Sequence, residues 1–416
     1  MRRTRARRRM LEREQIAVLL SGLLLSLGGV LLIYSAVTGS PFATLSNHHW
    51  RQLTWLGIAL VSMCGAIAIP FTVYDGARVY VIWGLSLALL VLVMVIGTSG
   101  LGAQRWLVLG GIRVQPSEIA KLATIFALAR FLAARRRSPR RMRDLVGAGV
   151  LTAVPTALVL QQPDLGTSLV FPAILCGMLY WAGLPFPYLL LLVSPVVSMV
   201  AAVSALAWGL FALGLVLTLA WAYRSGLGAA LVVLALGINL AVGIATPKLW
   251  GSLEEYQQQR ITAFLNPGKD RYGAGYQLIQ SEIAIGSGGM GGQGFLHGTQ
   301  KNFQFLPEKH TDFIFSVAGE ELGLRGCAAI LLAYTVLLLA GIEIARSVRS
   351  RFASLVAFGI VVMISFHVAI NIAMTVGFAP VTGLPLPFLS YGGSSLAMNL
   401  TALGLLAGIG MRRHEY

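Results

Sequence analysis

Apolar residues in this chain fall into long runs separated by short polar stretches. The runs are close to the roughly 20 residues a helix needs to cross a bilayer. Twelve can be placed, at 15–37, 53–71, 79–97, 117–134, 145–161, 165–182, 187–206, 208–222, 227–246, 314–342, 354–376 and 390–410. Reading each as a spanning helix predicts an all-α fold, a polytopic transmembrane helical bundle forming one membrane domain over residues 1–416. The first run, Ile16 to Tyr34, follows a basic segment as a signal peptide would. It is longer than a signal h-region and more chain of the same kind follows, so it reads as an uncleaved first span.

Two polar stretches break the pattern. Gly97 to Ser117 carries glycines with Gln104, Arg105, Trp106 and Arg113. The longer one, 247–312, is polar, glycine-rich and aromatic, with Tyr256, Phe264, Tyr272, Tyr276, Phe295, Phe303 and Phe305 spread through it. Connections longer than about 15 residues are usually functional or disordered, and so many aromatic residues argue against disorder. The segment is expected to fold back over the bundle.

Composition agrees with the membrane reading. Only 12% of residues are charged and 56% are hydrophobic, with mean hydropathy +0.75. A soluble domain carries about twice that charge fraction. The net charge of +16 suggests nucleic acid until the charges are placed. Arg2, Arg3, Arg5, Arg7, Arg8, Arg9 and Arg13 form a basic N-terminus within residues 1–14; Arg135, Arg136, Arg137, Arg140, Arg141 and Arg143 form a second cluster. Arg346, Arg349, Arg351, Arg412 and Arg413 complete the set. All lie just outside apolar runs, where positive charge fixes cytoplasmic loops and meets anionic lipid headgroups. With twelve spans and both termini cytoplasmic, every cluster falls inside and 247–312 falls outside as a large extracytoplasmic loop. Cys64, Cys176 and Cys327 lie within apolar runs and offer neither ligand spacing nor a disulfide framework.

Several polar residues stand where lipid should forbid them. Glu118 and Lys121 open the fourth span three residues apart, on one helical face. They fit a water-filled interior or a structural ion pair. Asp164, at the turn into the sixth span, fits a buried site or a helix cap. Leu306 to Phe313 ends the large loop on His310, Thr311 and Asp312, and Glu320 and Glu321 follow in the next run. A carboxylate at such a boundary can serve as a base near neutral pH when desolvation strengthens its hold on protons. A helix cap at Thr311 or Asp312 accounts for the same residues. Gly286 to Gly291 satisfies G-x-G-x-x-G, yet no strand–helix unit surrounds it, which excludes dinucleotide binding. Close backbone approach or a hinge fits these glycines better. The large loop balances six Lys/Arg against six Asp/Glu, so it is no pad for polyanions.

These residues form recognisable motifs. Gly102-Ala103-Gln104-Arg105-Trp106, Gln115 to Lys121, Gln162 to Thr167, and Gly275-Tyr276-Gln277 with Gln280-Ser281 resemble motifs of the shape, elongation, division and sporulation (SEDS) family. So do Ala284 to Gln300, Leu306 to Phe315, Glu320 to Gly323, and Pro385 to Pro387 with Ser390 to Ser394. Gly294 to Gln300 resembles the elongation, RodA-like branch rather than the division, FtsW-like branch. The resemblance implies a peptidoglycan glycosyltransferase that polymerises lipid II, a disaccharide–pentapeptide on undecaprenyl pyrophosphate, at the outer face of the bacterial cytoplasmic membrane. It also implies a class B penicillin-binding protein as transpeptidase partner. Carried over by position, Asp312 matches the family's catalytic acid, and Glu118, Lys121 and Asp164 match its polar cavity residues. Arg105, Trp106, Arg260, Gln280, Ser281, His310, Thr311, Glu320 and Ser390 complete the expected substrate-binding or cavity set. The family typically has ten spans, so the two additional ones are expected within 183–246.

Glycosyl transfer needs a base for the acceptor hydroxyl, here Asp312, and a counter-charge for the departing pyrophosphate. Arg105, Arg260, Lys121 or a divalent cation (Mg or Mn) held by carboxylates would supply that charge. No resident cofactor is otherwise implied. The competing class is a transporter of lipid II or another amphiphile, which buried charge also suits. No matched pair of broken helices marks two repeats, and the polar mass lies on one side, which weighs against it. A scaffold that recruits the cross-linking enzyme is the third class.

Overall fold

The computed structural model describes residues 2–38, 48–70, 76–100, 103–109, 112–135, 138–139, 142–202, 204–224, 228–252, 258, 262–264, 274–299 and 309–413. Every one of the twelve apolar runs is helical. The first nine helices are α1 (Arg2–Val37), α2 (His48–Ala68), α3 (Arg78–Ile96), α4 (Pro116–Ala133), α5 (Met142–Gln161), α6 (Leu165–Trp181), α7 (Phe186–Ala201), α8 (Ala205–Arg224) and α9 (Ala229–Ser252). Within the large polar segment lies α10 (Ala274–Gly288), and after it come α11 (Ile314–Ser347), α12 (Arg351–Thr375) and α13 (Gly393–Met411). Eight of these are long and apolar enough to cross a membrane by length and composition, and three shorter apolar helices lie at Leu165–Trp181, Phe186–Met199 and Val232–Thr246. In α4, Glu118, Lys121 and Arg130 lower the hydropathy of a helix that is nevertheless almost wholly buried.

The core is built around α12 and α13, the most enclosed of the long helices, with α1, α2, α4, α6 and α11 packed about them. Outward faces stay apolar, as on Leu206, Leu210, Leu213 and Leu217 of α8, because lipid replaces water there. Helices α7, α8 and α9 occupy the region expected to hold added spans. They pack mainly on one another and share a polar seam. Ser198 Oγ donates to the Asn239 carbonyl (3.0 Å), and the Asn239 amide donates to Ser194 Oγ (2.8 Å).

Two stretches depart from the helix-and-loop expectation. Residues 97–117 hold an antiparallel meander of β1 (Thr98–Gly100), β2 (Ala103–Leu109) and β3 (Ile112–Val114), with Thr98 opposite Trp106 and Leu107 opposite Val114. The segment 247–312 is partly helical, since α9 continues to Ser252 and α10 lies inside it. Arg260 lies outside the described residues.

The ends of the bundle differ. At one end Arg412 donates to the carbonyls of Ala68 and Ile69, and Arg351 donates to those of Arg135 and Ala182, so the arginine-bearing connections gather there. At the other end lie the sheet, the start of α11 and the turn before α13, where Gln115 N donates to Ser394 Oγ (3.1 Å).

Helix α11 is broken at Gly323, whose φ of 65° and ψ of −165° are accessible essentially to glycine alone. The glycine-rich segment of 286–294 docks on this break. Leu324 N donates to the Gly289 carbonyl (2.9 Å), Gln293 N to the Glu320 carbonyl (2.9 Å) and Gly294 N to the Glu321 carbonyl (3.0 Å). Close backbone approach is therefore what these glycines provide: a Cβ on Gly323 would lie 2.3 Å from Gly292 N. Gly323→Ala is expected to destabilise the protein by at least about 1–3 kcal/mol from backbone strain alone. The control Gly57→Ala, in an open helical position, should leave stability unchanged or slightly raised. Melting temperatures of the two variants in detergent check this.

Candidate functional site

Helix α12 carries His367, Asn371 and Thr375, three polar residues spaced by four and all buried. That spacing puts them on one face, each about 6 Å further along the axis. Each meets a different part of the chain.

At the level of His367 lies the ion pair of α4. Lys121 Nζ donates to Glu118 Oε1 (2.8 Å) and to His367 Nε2 (3.0 Å). An ammonium only donates, so Nε2 accepts and the ring proton sits on Nδ1. Glu118 and Lys121 are 4% and 1% exposed, which makes this a sealed pair rather than an interfacial one. One turn on, the Asn371 amide donates to the carbonyls of Asp312 (2.9 Å) and Leu384 (2.8 Å). At the last level, Ser281 Oγ donates to the Thr375 carbonyl (2.7 Å) and lies 2.6 Å from Ser316 Oγ, joining α10 to α11 and α12.

The segment 310–312 is clamped through three consecutive carbonyls. Tyr391 N donates to that of His310 (2.8 Å), Ser390 Oγ to that of Thr311 (2.6 Å), and Asn371 to that of Asp312. Ser390 is itself fixed by Leu386 N (2.8 Å) and by Gln52, which holds the Ser390 carbonyl and Gly392 N. The rings of His48, His310 and Tyr391 pack at 4.8–5.6 Å beside this clamp. Asp312 itself is half-buried. Helix α11 begins at Ile314 with Phe313 at its cap.

Asp164 serves both functions considered for it. Its Oδ1 accepts from Thr167 N (3.2 Å) and caps α6, while Arg105 Nη1 stands 3.9 Å from the same oxygen and Gln115 Nε2 is 3.5 Å from Oδ2. Arg105 also donates to the carbonyls of Gln162 and Pro163. The meander delivers Arg105 to this position and leaves its side chain 29% exposed. Trp106, next to it, is half-buried, as is Gln280 on α10.

Glu320 and Glu321 are both 1% exposed. Glu320 Oε1 accepts from Thr299 (3.2 Å), and the Glu321 carboxylate accepts from Ser35 of α1 (2.6 Å). They brace the break at Gly323. No group of three or more His, Cys, Asp or Glu among the described residues could hold a metal ion. Pattern reading missed His367, Asn371 and Gln52, and it took in Tyr391 only as part of the motif from Ser390 to Ser394; the spacing of four along α12 was the available signal for the first two.

The fold and these clusters define a multi-pass helical membrane protein whose polar chemistry is gathered at one end of the bundle. The family model described as "Cell cycle protein", covering FtsW, RodA and SpoVE, matches residues 15–213 and 207–415. The chain belongs to this family. It is 37% identical over 389 residues to the peptidoglycan glycosyltransferase MrdB of Escherichia coli K12, covering 92% of this chain and 91% of that one. It is 34% identical to the peptidoglycan glycosyltransferase RodA of Treponema pallidum, covering 95% and 97%. Among solved structures it resembles a chain of a peptidoglycan synthase complex that coordinates polymerization and crosslinking, with TM-score 0.71, 32% identity and coverage of 95% and 98%. The rod shape determining protein RodA of Thermus thermophilus matches with TM-score 0.63 and 26% identity, covering 96% and 97%.

Removing one member of a buried ion pair strands the other. Glu118→Ala or Lys121→Ala is expected to cost about 3–5 kcal/mol, whereas Glu118→Gln with Lys121→Met should recover most of the loss. Thermal unfolding of the three variants checks this.

Proposed function

We propose that this chain polymerises lipid II, with Asp312 as the general base. Its activity class is that of a peptidoglycan glycosyltransferase, the activity named for MrdB and RodA. The observation that carries the assignment of the base is the clamp on 310–312. Three fixed carbonyls hold a half-buried carboxylate where the large polar segment enters α11. A general base must be held in place to be effective, and the clamp supports this reading by fixing the backbone that carries the carboxylate.

In this reading a sugar hydroxyl of the acceptor attacks the anomeric carbon of the donor. Its proton passes to an Asp312 carboxylate oxygen. The bond from the anomeric carbon to the pyrophosphate oxygen breaks on the opposite face, so the configuration inverts. The departing polyprenyl pyrophosphate gains negative charge. Of the expected cations, Lys121 is sealed and committed to Glu118 and His367, while Arg105 at the same end as Asp312 retains exposed surface. Arg260 lies outside the described residues, and of the two described cations Arg105 is the one proposed for the leaving group.

The arginine-bearing end would face the cytoplasm, with both termini, and Asp312 would face the outer side of the bacterial inner membrane. Coupling to a class B penicillin-binding protein follows from the likeness to the synthase-complex chain. Helices α7–α9 would hold the two spans added to a ten-span plan.

Asp312→Ala and Asp312→Asn should lower glycan polymerisation by about a hundred- to ten-thousand-fold with the melting temperature little changed. Purified protein is incubated with labelled lipid II, with and without the transpeptidase, and polymer is resolved by gel. Full activity in either variant overturns the assignment of Asp312, and no polymer from the wild-type chain under both conditions favours a transporter or scaffold.

A further inference from the structure

We propose that Asn371 is a positioning residue for glycosyl transfer, acting through Asp312. The inference rests on Asp312 being the base. The Asn371 side chain is fully buried, and its NH2 group divides its two donors between the Asp312 carbonyl (2.9 Å) and the Leu384 carbonyl (2.8 Å). These carbonyls belong to the two non-helical segments at this end of the bundle, the turn that opens α11 and the stretch between α12 and α13.

The other two tethers on 310–312 grip residues before Asp312 and arise from that same stretch, from Ser390 and Tyr391. Asn371 alone among the three residues comes from a helix, and it grips the carbonyl of residue 312 itself. Helix α12 is fixed to α4 one turn away through His367 and Lys121, so the Asn371 amide is anchored to the centre of the bundle. The Asp312 backbone is thereby referred to the rigid core rather than to a turn that could shift with bound substrate. Losing this bond removes the tie between the Asp312 peptide and α12 and lets the carboxylate shift from the hydroxyl it must meet. Displacements of about 1 Å at a reacting group can lower rate by about a hundredfold.

The test compares Asn371→Ala, Asn371→Ser and Asp312→Ala in the full-length protein on labelled lipid II. Rates are divided by the fraction of enzyme that binds lipid II. For Asn371→Ala, kcat should fall about 10- to 100-fold with KM within twofold of wild type, and the acid limb of the kcat–pH profile should move. Simple loss of folded enzyme would lower the plateau and leave that limb in place. Asn371→Ser keeps one donor and should restore part of kcat. If the Ala variant does not fold, Asn371→Ser carries the test: reduced kcat with a moved limb supports the proposal. Wild-type kcat in a folded variant, an unmoved acid limb, or a loss confined to KM overturns it. An inactive Asp312→Ala beside a wild-type Asn371→Ala rejects the positioning role and leaves the base standing. An active Asp312→Ala rejects the base, and the positioning role with it.

Discussion

A polar stripe inside an apolar bundle sets the arrangement of this protein. With no water to turn to, a buried polar group must find a protein partner or lose several kcal/mol, on the order of 2–7 for an amide or hydroxyl. His367, Asn371 and Thr375 concentrate that requirement on one face of α12. The side chains of His367 and Asn371 find partners on α4, in the turn before α11 and in the stretch before α13, while the Thr375 hydroxyl donates to the Ile372 carbonyl within α12 (2.9 Å) and its backbone carbonyl receives Ser281 of α10. Apolar contacts between these elements would be satisfied at many rotations and depths. Hydrogen bonds at fixed levels along one helix allow few, so the stripe gives the bundle its register.

The same constraint explains the form of the candidate site. Reactive groups at the end of a bundle need irregular backbone to present them, and irregular backbone leaves carbonyls that no helix satisfies. Here several such carbonyls among the described residues are met by side chains or by backbone donors. Ser390, Asn371 and the Tyr391 backbone meet 310–312, Arg105 meets Gln162 and Pro163, and the Tyr334 hydroxyl meets Pro387 at 2.5 Å. Rigidity at the site is a by-product of satisfying backbone in a dry setting. Glu320 and Glu321 belong to this support: their carboxylates are spent on Thr299 and Ser35, and their carbonyls receive the glycine-rich segment.

What pattern reading could reach follows from how local each feature is. Span positions are properties of continuous runs, and all twelve are helical. The Glu118–Lys121 pair and the Asp164 cap of α6 depend on residues three apart, so they were legible too. His367 was hidden because it sits in an apolar run, with its partner 246 residues away. Asn371 was hidden for the same reason, its tie to Asp312 spanning 59 residues. The Ser35 hydroxyl that takes up Glu321 lies 286 residues from it, and no local rule connects them. The meander had a signal that helix-length windows pass over: the sequence Gly110-Gly111 separates two short apolar stretches, Leu107 to Leu109 and Ile112 to Val114, which the structure pairs antiparallel.

Arginine has one structural use at both ends of the bundle and a second at only one of them. Arg412 holds the last carbonyls of α2, Arg351 holds those beyond α4 and α6, and Arg105 holds those beyond α5. All place positive charge at the negative end of a helix dipole. Charge expected of cytoplasmic loops thus also ties helix ends together, which is why the clusters are structurally informative beyond topology. Arg105 differs in its surroundings. It lies on β2, with Asp164 at 3.9 Å and part of its side chain exposed, at the same end of the bundle as Asp312. A guanidinium held by two carbonyls and a carboxylate is already aimed. An arriving pyrophosphate would meet an oriented cation whose ordering has been completed in the fold, so the site would stabilise leaving-group charge without first gathering a mobile side chain.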